Sequence, residues 1–148
     1  MLTDKNKYSW LAGLIEGEGC LSIYYLPKKK YLHSERKNAC WERKLIIVNT
    51  SLELIKFLKE YFGGTYYIQR KVNLAWKTAY QWMIWGDNLK AMLLKIIPFL
   101  KSKRKIAELL LKSYDYKGDN ILLHKLAWEI LQLKNSNKGR KNLLTCPY

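Results

Sequence analysis

The chain has 148 residues, a formal net charge of +15 and a composition that is 49% hydrophobic and 14% aromatic. A chain of this length folds as a single domain that buries about two thirds of the surface its unfolded form exposes, and this apolar content excludes a disordered composition. Its 27 lysines and arginines are spread along the whole length against 12 acids, which points to a polyanionic partner, because neutralising nucleic-acid phosphates releases counterions and drives association.

Cys20, Cys40 and Cys146 are odd in number and widely separated, so they build neither a disulfide framework nor a zinc site with paired spacing. His33 and His124 stand alone. The opening residues do not read as a secretory signal, and no apolar run reaches membrane-spanning length. The expected setting is intracellular and reducing, with no membrane partner: a mitochondrion, a chloroplast or a prokaryotic cytoplasm.

Along the chain, Ser9 reads as an N-cap, and Trp10, Leu11, Leu14 and Ile15 follow at helical spacing until the glycine-rich end at 17–19. From Cys20 the pattern alternates, with Leu21, Ile23 and Tyr25 on one face, which predicts a strand stopped by Pro27. The polar, basic stretch 28–38 predicts the tip of a long hairpin, and 41–49 its second strand. Residues 51–62 repeat apolar groups at Leu52, Leu54, Ile55, Leu58 and Phe62, an amphipathic helix closed by Gly63 and Gly64. A second hairpin is predicted over 65–71 and 78–85. Helices follow over 88–100, 103–114 and 121–133, then a basic loop over 135–142.

This order, αββαββα with further helices at the end, predicts one α+β domain over 1–148. Its four-stranded antiparallel sheet carries helices on one face. With Leu21, Ile23, Leu45 and Ile47 toward the helices, the opposite face presents Ser22, Tyr24, Lys28, Lys30, Glu42, Lys44 and Ile46. Such a face is either a solvated sheet surface or, in so basic a protein, a surface that meets DNA.

Glu16 and Glu18 stand at the C-terminal end of the first helix, where the macrodipole is negative and carboxylates are unfavourable. They are either exposed surface acids or ligands of a hard divalent cation, which would offset both the dipole and their repulsion.

Residues 11–19 read LAGLIEGEG, which resembles the motif that names the LAGLIDADG homing endonucleases. The predicted element order fits that family's fold over nearly the whole chain. The resemblance implies a metal-dependent endonuclease that cleaves both strands of a long, roughly palindromic double-stranded DNA site. A single copy of the motif implies the homodimeric type, with the motif helix, through Leu11, Ala12, Gly13, Leu14 and Gly17, packed against its symmetry mate. It implies Glu18 as catalytic metal ligand, where the family usually has Asp, and the main-chain carbonyl of Gly17 as a second ligand. The metal would be Mg2+, with Mn2+ or Ca2+ able to take the same sites. Glu16 is assigned a structural role.

The resemblance further places Asn49 beside the nucleophilic water, although the same residue suits a cap for the next helix. Lys103, or Lys101 in another register, becomes the basic group near the scissile phosphate. Groove-facing residues would be Ser22, Tyr24, Lys28, Lys30, Glu42, Lys44, Gln69, Arg70, Lys71, Gln81 and Met83, with Tyr80, Trp82 and Ile84 in the core. Lys138, Arg140 and Lys141 resemble phosphate contacts. Relatives of this kind also include intron RNA maturases, so an RNA-binding maturase or a non-cleaving DNA-binding protein is the alternative.

Overall fold

The computed structural model describes residues 3–30, 35–36, 38–71 and 73–137. Helix α1 (Asp4–Glu18) leads into β1 (Gly19–Leu26), and a small ladder of β2 (Lys29–Lys30) and β3 (Glu35–Arg36) forms the hairpin tip before β4 (Cys40–Asn49). Then come α2 (Leu52–Phe62), β5 (Thr65–Ile68), β6 (Tyr80–Trp85) and α3 (Gly86–Ile96). A 3-10 turn (Ile97–Phe99), α4 (Arg104–Lys112) and α5 (Asn120–Asn137) complete the described chain.

The four long strands form one antiparallel sheet in the order β1-β4-β6-β5: the two predicted hairpins are its outer pairs, and β4 against β6 joins them. Leu21 pairs with Leu45, and Leu45 in turn with Ile84, so one face of the sheet is a continuous apolar floor. Onto it pack Leu11 and Ile15 of α1, Ile55 and Leu58 of α2, Leu89 and Leu93 of α3, and Ile106 and Leu110 of α4, all nearly or wholly buried. Each such side chain contributes about 1.5–3 kcal/mol of hydrophobic stabilisation. Trp82 is fully buried at the centre, and its indole N–H donates to the carbonyl of Gly63 at 2.8 Å. That bond ties the end of α2 to β6. Gly64 is required beside it: its φ is +78°, and a Cβ there would lie 2.4 Å from the carbonyl oxygen of Met83.

Several predicted boundaries are corrected. Ser9 is not an N-cap; it lies inside α1 and donates its hydroxyl to the carbonyl of Asn6, while Thr3 caps the helix by accepting from the Asn6 amide. The first turns of α1 are polar and carry no apolar periodicity, which is why the pattern located its start too late. The second hairpin is shorter than its alternation suggested. Pairing lapses after the Gln69 amide bonds to Ala79, because Asn73 turns the chain with its side chain on the Ala75 amide and its carbonyl on the Trp76 amide. Arg70 and Lys71 are therefore exposed loop residues rather than strand residues. Helix α5 runs through the start of the predicted basic loop, to Asn137.

Candidate active site and DNA-binding face

Glu18 is the last residue of α1, exposed at the helix end beside the sheet. Asn49, the last residue of β4, donates its amide nitrogen to Glu18 Oε2 at 2.7 Å. Its amide oxygen accepts from the Ser51 main-chain N–H at 2.8 Å, one residue before α2 begins. Asn49 is therefore not the cap of α2 but a link between the end of α1 and the residue that caps α2. Ser51 itself caps α2, its hydroxyl accepting from the Leu54 amide. Gly17 lies in the last turn of α1, where main-chain carbonyls have no partner within the helix.

Glu16 does structural work. Its carboxylate accepts from the amides of Lys101 at 2.6 Å and Lys103 at 3.2 Å, and from the Ser102 hydroxyl, pinning the turn before α4 to the motif helix. Burial pushes this carboxyl up, but the hydrogen bonds outweigh it and hold Glu16 below the usual glutamate value.

The same turn delivers Lys103. Its ammonium reaches under the end of α1 and donates to the carbonyls of Ile15 at 2.6 Å and Gly19 at 2.7 Å. A cation at this place offsets the negative end of the helix dipole. The last turn of α1 contains no basic residue of its own, so the compensation comes from a distant element. Burial lowers the Lys103 pKa and nearby Lys134 adds to that, while Glu16 and Cys20 act in the opposite sense. Lys101 is exposed and meets the motif helix through its backbone amide.

Gly19 belongs to the same construction. A Cβ there would lie 2.8 Å from Ile15 Cα and 2.9 Å from the Ile15 carbonyl oxygen, so the chain leaves α1 through a gap only glycine fits. Gly13 and Gly17 differ, since nothing lies within 4 Å of where their Cβ atoms would be.

Of the residues expected on the outer face of α1, Gly13 and Gly17 are exposed and Leu14 is half-buried. Leu11 and Ala12 are a correction: both are fully buried in the protomer's own core and offer no surface to a second chain. The reason lies in the helical angle, which turns 11, 12 and 15 toward the sheet and leaves 10, 13, 14 and 17 outside. Residues that sequence reasoning missed continue this outer surface. Trp10 is 40% exposed, and its ring meets Phe57 edge-on and stacks on Phe62, with Tyr61 stacked on Phe57.

The sheet face away from the helices carries the expected rows. Ser22 pairs with Lys44, Tyr24 with Glu42, Ile46 with Met83 and Val48 with Gln81. Lys44 and Glu42 form an ion pair at 2.8 Å, and Gln69 donates to Gln81 at 3.0 Å. Thr65 opposite Met83 and Tyr67 opposite Gln81 share this face, and the alternation that selects Gln69 would have selected them too. Tyr80 is half-buried, while Trp82 and Ile84 are core, as expected. Lys28 is exposed just past β1. Lys30 lies in β2, so its backbone is placed in the hairpin tip. Lys138, Arg140 and Lys141 lie outside the described residues.

The sequence over residues 11–120 matches the family model described as LAGLIDADG endonuclease. Among solved structures, the homing endonuclease I-CvuI in complex with its target is 25% identical with a TM-score of 0.68, over 95% of this chain and 88% of that one. An archaeal intron-encoded homing endonuclease complexed with DNA is 18% identical with a TM-score of 0.67, over 99% of this chain and 91% of the other. The meganuclease I-CpaMI bound to uncleaved DNA is 21% identical with a TM-score of 0.61, but this chain, matched over 93% of its length, spans only 44% of that one. No curated protein matches significantly. With the motif and the sheet topology in agreement with the family match, the chain belongs to the LAGLIDADG endonucleases and shares their α+β fold.

Proposed function

We propose that this protein is a homodimeric, site-specific endonuclease that hydrolyses one phosphodiester in each strand of a roughly palindromic duplex. The observation that carries the proposal is Glu18, held by Asn49 at the exposed end of a helix whose outer side is glycine. Neither Gly13 nor Gly17 is needed by a single chain, whereas a second motif helix in backbone contact would need both to be small. The coverage of I-CpaMI supports this, because a chain of which this one spans 44% has room for two such units.

One chain supplies half of a metal site. Among the described residues no three acids, cysteines or histidines converge, and Glu16 is committed to the turn before α4. Two copies of Glu18, with main-chain oxygens from Gly17, make an all-oxygen donor set suited to Mg2+, and Mn2+ or Ca2+ fit the same chemistry. A bound metal of this kind supplies Lewis acidity and lowers the pKa of attacking water. The chain's own residues do the rest: Asn49 fixes the carboxylate's orientation, Lys103 braces the helix end with positive charge, and the polar sheet face lies in the major groove.

The test is a plasmid carrying the uninterrupted version of the gene's insertion site, incubated with and without magnesium. Metal-dependent linearisation is expected, with a Glu18→Gln variant that still binds the plasmid and does not cut it. Undiminished cutting by that variant would overturn the assignment, and a chain monomeric at every concentration, free and on DNA, would overturn the dimer.

A further inference from the structure

Behind the end of α1 a cavity of ≈ 480 Å³ is lined by Glu16, Gly19, Cys20, Ser102, Lys103 and Lys134, among others. Lys134 comes from α5, which packs along the edge strand β1. Its ammonium donates to Ser22 Oγ at 2.8 Å and lies 3.6 Å from Cys20 Sγ. Ser22 and Cys20 lie on the sheet face that carries Tyr24 of β1 and Lys44 of β4, so Lys134 reaches past the sheet edge to the open side proposed to face DNA.

Two lysines have thus been brought to one half-buried cavity that holds a single acid, Glu16, and among the described residues neither is in ion-pair contact with a carboxylate. Among the described residues the ion pair present is Lys44–Glu42, and the acid in this cavity, Glu16, spends its oxygens on main-chain amides and a hydroxyl. Like charges held together in a partly desolvated place raise the energy of the free protein. Each ammonium also has three donors and uses two of them among the described residues. What would relieve the repulsion and accept the remaining protons is an anion with several oxygens.

Resting on the endonuclease reading, we propose that Lys134 is a positioning residue that binds a DNA backbone phosphate at the edge of the sheet, with Lys103 behind it. Lys134 would seat the strand that passes Glu18. Nothing local in the sequence marks it, because it is one lysine in a helix of mixed composition.

The experiment uses the full chain and a short random-sequence DNA duplex as probe, with affinity measured over about 50–200 mM salt. Each lost phosphate contact lowers the slope of log affinity against log salt by about 0.9, so Lys134→Met should lose about 1.8 per dimer. Its affinity should fall about tenfold or more, and its cutting of the insertion-site plasmid should fall with it. Lys134→Arg, which keeps the charge, should restore the slope. If Lys134→Met keeps the parental slope and affinity, whether or not its melting temperature falls, Lys134 is only a clip between α5 and β1 and the proposal fails. A parent that neither binds the duplex nor cuts the plasmid would instead remove the endonuclease reading, and this proposal with it.

Discussion

The glycines of the motif segment do different work, and the structure lets this be measured. At Gly19 an added methyl would sit 2.8 Å from Ile15 Cα and 2.9 Å from both its carbonyl oxygen and its Cγ2. Carbon atoms prefer about 3.5–4.0 Å, so Gly19→Ala must displace backbone by about 0.7 Å. Two of the three atoms it meets are main-chain atoms in the last turns of α1, where no rotamer change can give way. Overpacking of this kind costs about 1–3 kcal/mol. For a domain of this size that is a fall in melting temperature of about 2–12 °C. The displacement also moves Glu18 relative to Asn49, so cutting should fall even where the variant is folded. Gly17→Ala is the matched control. Its methyl meets nothing within 4 Å in one chain, and alanine is the better helix former by about 1 kcal/mol. Its protomer should be no less stable than the parent, while its dimer should dissociate more readily, as read by sedimentation across a concentration series. Melting curves recorded where both variants are monomeric decide the matter: a normal Gly19→Ala beside a destabilised Gly17→Ala would refute the reasoning.

Two further outcomes follow from the hydrogen bonds. Because the folded Glu16 carboxyl ionises below the ordinary glutamate value of 4.5, its bonds to the 101–103 turn act fully above that pH and are lost as pH falls through the lower folded value. Urea unfolding of the parent should weaken over that acid window, and Glu16→Gln, about 1 kcal/mol less stable at neutral pH after allowance for its exposure, should lack that part of the dependence; parallel curves would count against the anchoring role. Arg43 donates to Ser113 Oγ at 2.6 Å and to the Ser113 carbonyl at 2.7 Å, and stacks over Tyr114, whose hydroxyl is pushed up to about 12, chiefly by burial. Ser113 is fully buried, so Arg43→Met leaves its carbonyl without this donor and should cost about 2–3 kcal/mol by denaturant midpoint. An unchanged midpoint would show that water replaces the guanidinium.

The motif helix, the two hairpins and the faces of β1 and β4 were legible because each repeats at a local period, 3.6 residues for α1 and α2 and two for the strands. Burial of Leu21, Ile23, Leu45, Ile47, Trp82 and Ile84 follows from that alternation and from the need of a sheet to cover one face. Glu18 and Asn49 were each identified separately. Their 2.7 Å contact depends on β4 returning antiparallel to β1, which brings residues 31 positions apart to one corner.

The order of elements, the apolar face of the sheet and the concentration of acids and glycines at 16–19 can be read along the chain, since these are local patterns. The resemblance separates the two acids by role, and the fold supplies the physical cause. Glu16 and Glu18 look alike in the sequence, and they separate because a turn 85 residues away from Glu16 fills its carboxylate with donors while Glu18 meets Asn49. The same holds for Lys103 on the carbonyls of α1, for Lys134 against Ser22, and for Leu11 and Ala12, which pack inward rather than toward a partner. Contacts between residues far apart in the chain have no period to betray them. They exist only once the sheet has set the distances.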